Sequence, residues 1–139
     1  MRIHGRYLLA VAVLAVAIVA SAASAAAPVK ITNCNKAVSR PKQMTLTCGD
    51  ANTGLSKLKW SSFGGTSAKG SGTFETNTCE PNCAAGKVVR HPVTVAAGKP
   101  RSCGAGLRVY GKLQLKFTGK VPSSISAQKN WTLQCPASL

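Results

Sequence analysis

The chain reads as an all-β fold, a small antiparallel domain held by disulfides, and three observations predict this. Residues Leu107 to Thr118 alternate apolar and polar side chains without a break, the period of a strand with one wet face. Beyond residue 25 no helical period persists for three turns, whereas six or seven short alternating segments are separated by Gly, Pro, Asn and Asp. Six cysteines, Cys34, Cys48, Cys79, Cys83, Cys103 and Cys135, all follow residue 25, an even number that implies three bridges in an oxidising compartment. A two-layer sandwich, immunoglobulin-like in general architecture, is the expected arrangement, because no closing barrel register is readable.

The chain opens on a targeting signature. MRIHGR is basic, YLLAVAVLAVAIVA is apolar and SAASAAA is small, the order of a secretory signal peptide. Ala23-Ser24-Ala25 places small residues where a signal peptidase reads them, so cleavage is expected after Ala25, with Ala22 as the other candidate. The competing reading is a retained anchor, since Tyr7 to Ala27 is about long enough to span a bilayer. Its last third is Ala and Ser instead of Leu, which favours cleavage and leaves no membrane span. The expected organisation is therefore residues 1–25 as signal, residues 26–42 as an irregular segment that Cys34 fixes to the body, and residues 43–139 as one β domain.

Within that domain, Met44, Leu46 and Cys48 share one face of a half-buried strand, and Gly49 to Gly54 marks a turn. Ser56, Leu58, Trp60 and Ser62 then take one face and Lys57, Lys59 and Ser61 the other, with Trp60 as a core anchor. Ala68, Gly70 and Gly72 are small at alternate positions of the next strand, which suits close approach of another backbone or of Trp60 or Phe63. Val89, His91, Val93 and Val95 face one way in a strand that Pro92 marks as an edge. Gly98-Lys99-Pro100 and Cys103 to Gly106 read as turns. In the long strand Leu107, Val109, Gly111, Leu113, Leu115 and Phe117 point inward, and Arg108, Tyr110, Lys112, Gln114, Lys116 and Thr118 outward. Trp131, Leu133 and Cys135 close the core. Of fifteen connectivities for six cysteines, a local Cys79 to Cys83 bridge, or one from Cys48 to that loop, and a Cys103 to Cys135 bridge are preferred, without spacing to decide them.

Chemistry is sparse. Beyond residue 25 there are one histidine, His91, and three acids, Asp50, Glu75 and Glu80. His91 lies among valines, the setting of a core or edge histidine and not of a general base. Glu75 and Glu80 are the minimum pair for glycoside hydrolysis, but no aromatic subsites accompany them. Cys79, Cys83 and His91 are three conceivable metal ligands, yet exported thiols oxidise first, so no metal and no cofactor is expected. No catalytic residue is assigned.

The runs Leu46-Thr47-Cys48-Gly49-Asp50-Ala51-Asn52, Trp60-Ser61-Ser62-Phe63-Gly64 and Cys79-Glu80-Pro81-Asn82-Cys83-Ala84-Ala85-Gly86, with Pro92-Val93-Thr94-Val95, resemble a group of small secreted proteins of actinobacteria, mycobacteria and streptomycetes among them. The resemblance covers roughly Arg40 to Phe117 and implies export and a cysteine-bridged β domain. It implies no activity and no functional residues.

Charge says most about partners. The full chain carries +15 at pH 7, and 16 of its 18 basic residues follow residue 25. Such an excess attracts polyanions and suppresses self-association, which favours a monomer. Arg108, Lys112 and Lys116 fall on one strand face about 13 Å apart, and Lys57 and Lys59 extend that row if their strands are neighbours. These five are the anion-binding candidates, although lysines on a wet face also keep a sheet soluble. Sequence-specific nucleic-acid binding is not expected, since there is no recognition helix or aromatic strand motif. The leading expectation is a secreted, non-catalytic domain on anionic envelope polymers or lipids. The alternatives are a small wall hydrolase and a cationic inhibitor or defence protein.

Overall fold

Six strands hydrogen-bond in the order in which the chain makes them: β3 (Met44–Thr45), β4 (Thr53–Ser62), β5 (Ala68–Asn77), β6 (Val88–Ser102), β7 (Arg108–Phe117) and β8 (Asn130–Thr132). Before them β1 (Ile31–Asn33) and β2 (Lys36–Val38) pair as a separate two-stranded sheet. A single turn of helix, α1 (Ser123–Ser126), lies between β7 and β8. The computed structural model describes residues 26–137, so the signal-peptide reading of residues 1–25 lies outside the described residues. The chain is all-β and disulfide-bonded, as its alternation and cysteines require. Every pairing in the large sheet is between consecutive antiparallel strands, a meander without the Greek-key crossover of an immunoglobulin-like sandwich.

The segment expected to be irregular, residues 26–42, instead contains the β1–β2 hairpin. Val29 and Ile31 are fully buried in the core that the large sheet wraps. Lys30 also bridges Val109 in parallel: its N–H donates to the Arg108 carbonyl at 2.9 Å and its carbonyl accepts from Tyr110 at 3.0 Å. Three residues of β1 are too few to show a period, which is why the segment reads as loop.

In β4 both Leu55 and Leu58 are buried, three positions apart, which strict alternation forbids. A bulge resolves this: Ser56 pairs with Thr73 and Lys59 with Ser71, and Lys57 between them has φ 52°. Ser56 is thereby turned to the outer face, away from Leu58, contrary to the simple alternating reading. Gly70 and Gly72 are small because the β4 backbone lies close. A Cβ on Gly70 would sit 2.5 Å from the Lys59 carbonyl oxygen, and one on Gly72 would sit 2.8 Å from both the Ser56 carbonyl and the Leu58 side chain. The partner is thus another backbone, that of β4, as one of the two expectations had it, and the side chain that approaches is Leu58 and not Trp60 or Phe63. Trp60 is half-buried, meets Phe63 edge-on at 5.0 Å and donates its indole N–H to the Pro41 carbonyl at 2.9 Å.

β6 is not an edge strand. It lies between β5 and β7 and runs through Gly98-Lys99-Pro100, where the local residues suggest a turn. Pro92 is tolerated because β7 has ended there: Phe117 pairs with Val93, and beyond it Thr118 donates to the Pro92 carbonyl at 3.1 Å without needing a donor in return. In β7 the inward face slips by one position. Tyr110, expected outward, is fully buried and shares the core with Leu113 and Leu115. The slip falls where Lys99 (φ 52°) and Gly111 drop out of the β6–β7 ladder.

The bridges are Cys34–Cys48, Cys79–Cys83 and Cys103–Cys135. Two are those preferred from sequence. Cys48 bonds Cys34 and not the Cys79–Cys83 loop, so it ties the β1–β2 turn to the segment after β3.

Candidate anion-binding face

Alternation along each strand leaves one face of the meander wet, and strand register decides which side chains meet there. Lys59 of β4, Ser71 of β5, Thr94 of β6 and Lys116 of β7 form one row across four strands. At about 4.8 Å per strand the two lysines stand roughly 14 Å apart. The next row is Lys69, Ala96, Gln114 and Asn130, and beyond it Gly98, Lys112 and Thr132 line up. On β6 the outward residues Thr94, Ala96 and Gly98 are small, while Lys69 on β5 and Lys116, Gln114 and Lys112 on β7 are long. The result is a groove of about 660 Å³, whose lining includes Lys69, Lys116 and Lys129 but no acid and no aromatic ring.

Of the five predicted cations the structure brings three together, Lys59, Lys112 and Lys116. Lys57, at the bulge, lies near Glu75, toward the end of this face away from the groove. Arg108 has the parity of buried Tyr110, on the other side of the slip, and so does not share the face of Lys112 and Lys116. Lys69 and Lys129 were missed. The alternation of Lys69 with Ser71 was readable, but its position across from β6 and β7 was not.

The one acid on this face is Glu75. Its Oε1 accepts from the Ser56 hydroxyl at 2.7 Å and from Arg90 Nε at 3.2 Å. Chiefly the Ser56 hydrogen bond, with the Arg90 charge, holds its carboxyl below the usual range against a smaller cost of burial. A carboxyl with a lowered folded pKa stabilises the fold fully above its unfolded pKa, and that contribution disappears as pH falls through the folded value. Glu75→Gln is therefore expected to lower Tm at neutral pH by an amount that shrinks to nothing as the folded carboxyl becomes protonated in acid. Thermal unfolding of both proteins across that range checks it, and a pH-independent difference would exclude the assignment.

Glu75 lines a second groove, of about 350 Å³, with Asn33, Ser56 and Asn77, but Asp50, Glu80 and His91 do not line it. Asp50 is used locally: the Asn52 backbone N–H, at 3.1 Å, followed by Thr47 and the Asn52 side chain, lowers its pKa and fixes the turn before β4. Glu80 is exposed in the loop closed by Cys79–Cys83. His91 packs against Phe117, with ring centroids 6.4 Å apart, and pairs across from Phe74. Both cysteines of the Cys79, Cys83 and His91 set are consumed by their disulfide. Among the described residues no helix is long and apolar enough to cross a membrane.

No protein-family model, curated protein or solved structure matches the chain.

Proposed function

We propose that the protein is an exported, non-catalytic β domain that associates, as a monomer, with anionic polymer of the cell envelope or its surroundings through the outer face of β4 to β7. The observation that carries this reading is the cross-strand placement of Lys59, Lys69, Lys112 and Lys116 on one face whose sole acid, Glu75, is already occupied by Ser56 and Arg90. Scattered lysines serve solubility equally well in any arrangement, but four cations with no carboxylate partner among the described residues, on one sheet face, hold a polyanion without ordering flexible segments. Three disulfides and the resemblance to small secreted actinobacterial proteins support export. The excess positive charge steers encounter from a distance.

Binding to a soluble polyanion, followed by titration calorimetry, is expected to weaken about fifty-fold between roughly 50 and 200 mM salt, the slope of some three to four released counterions. The triple variant Lys59→Gln, Lys112→Gln, Lys116→Gln is expected to lose about a hundredfold at low salt and most of that slope. Lys57→Gln with Arg108→Gln should do much less. Equal losses from the two sets would mean that net charge, and not this face, governs binding.

A further inference from the structure

The groove over β6 has a shape that charge alone does not require. Along the outer face of β6 the side chains run Thr94, Ala96, Gly98, and long side chains flank them: Lys69 on β5, paired with Ala96, and Lys116, Gln114 and Lys112 on β7, with the short Ser71 beside Thr94. The floor is thus a strip one strand wide, parallel to β6, with ammonium groups on both walls. We propose that this trough seats a single chain of a linear, hydroxyl-bearing polyanion, an acidic polysaccharide, lying along β6 between Lys69 on one wall and Lys112 and Lys116 on the other. The proposal rests on the anionic-polymer reading of the same face and adds the seat, the direction and the polymer class.

Three features support it. First, a planar anionic surface meets only the tips of the lysines, whereas a single chain enters between the walls and reaches the level of Ala96. Second, neutral hydrogen-bonding groups alternate with the cations: Ser71 and Thr94 stand between Lys59 and Lys116, and Gln114 and Asn130, joined by a single amide contact of 3.4 Å, keep further donor and acceptor positions free. A polymer with hydroxyls between its charges uses those groups, and bare polyphosphate does not. Third, the cations are lysines, point charges without the planar fork that grips phosphate, and no ring lines the groove on which bases would stack.

The discriminating substitution changes shape and not charge. Ala96→Gln fills the trough with a side chain suited to a wet strand face, and Ala96→Leu is a second filler should the first perturb the sheet, each checked by circular dichroism and Tm. In the full exported protein, affinity for polygalacturonate is expected to fall about tenfold with the salt slope retained. Binding of vesicles of phosphatidylcholine and phosphatidylglycerol should be unaffected by either filler, and polyphosphate should bind wild type more weakly than polygalacturonate at equal charge. Unchanged polygalacturonate affinity in a folded filler variant would overturn the seat. Equal or tighter binding of polyphosphate would overturn the polymer class, and tighter binding of vesicles would replace the single chain by a membrane surface. Failure of every polyanion to bind wild type at low salt would sink the anionic-polymer reading itself, a result separate from the others.

Discussion

Tyr110→Ala is expected to destabilise the domain by about 4 kcal/mol, a large part of the stability of a domain this size. Tyr110 is the largest fully buried side chain among the described residues, and its ring meets Phe63 edge-on at 5.6 Å, which in turn meets Trp60. Its hydroxyl accepts the Gly64 N–H at 2.9 Å and donates to the Gly65 carbonyl at 3.0 Å, so the β4–β5 turn is pinned to β7 from 46 residues away. The two contributions are separable. Tyr110→Phe keeps the ring and leaves the Gly64 donor without a partner, and should cost about 1–3 kcal/mol. Urea denaturation of both variants measures the split. A Tyr110→Phe protein as stable as wild type would mean that water replaces the phenol and that packing alone holds the turn.

Removal of the Cys103–Cys135 bridge by Cys103→Ser with Cys135→Ser is expected to cost about 3–4 kcal/mol, because it frees a loop of 32 residues in the unfolded chain. The same change at Cys79 and Cys83, only four residues apart, should cost about 2 kcal/mol. The longer bridge also holds the C-terminal segment where Arg101 donates to the Leu133 carbonyl and to Gln134 Oε1, so its loss loosens the side of β7 that β8 covers. Denaturant midpoints of the two double variants give the order. A larger effect at Cys79 and Cys83 would show that native-state contacts of that loop, such as Asn77 Nδ2 to the Cys83 carbonyl at 2.8 Å, outweigh chain entropy.

Much of this was legible because it is local. Alternation in Leu113 to Phe117 and in Val93 to Ala97 marks residues that do line the core, and Cys103 and Cys135 are joined as preferred. The candidate site was half legible. Lys112 and Lys116 lie four residues apart on one strand, so their common face follows from the period alone. Lys59 joins them only through two intervening strands, and Lys69 only because β5 runs opposite β6. Lys57 and Arg108 were grouped with them by a parity that positive-φ residues interrupt, at Lys57 itself and at Lys99 opposite Gly111.

The sequence by itself determined the all-β class, the crosslinking and the excess of positive charge, since residue types and a two-residue period need no partner to be read. Only the tertiary structure decided that the strands form one meander, that Pro92 sits inside it where β7 has stopped, that Tyr110 faces the core, and which lysines share a face. Those outcomes depend on register between strands far apart in the chain, and a single bulge, costing one residue and leaving no trace in composition, turns every side chain after it to the opposite side.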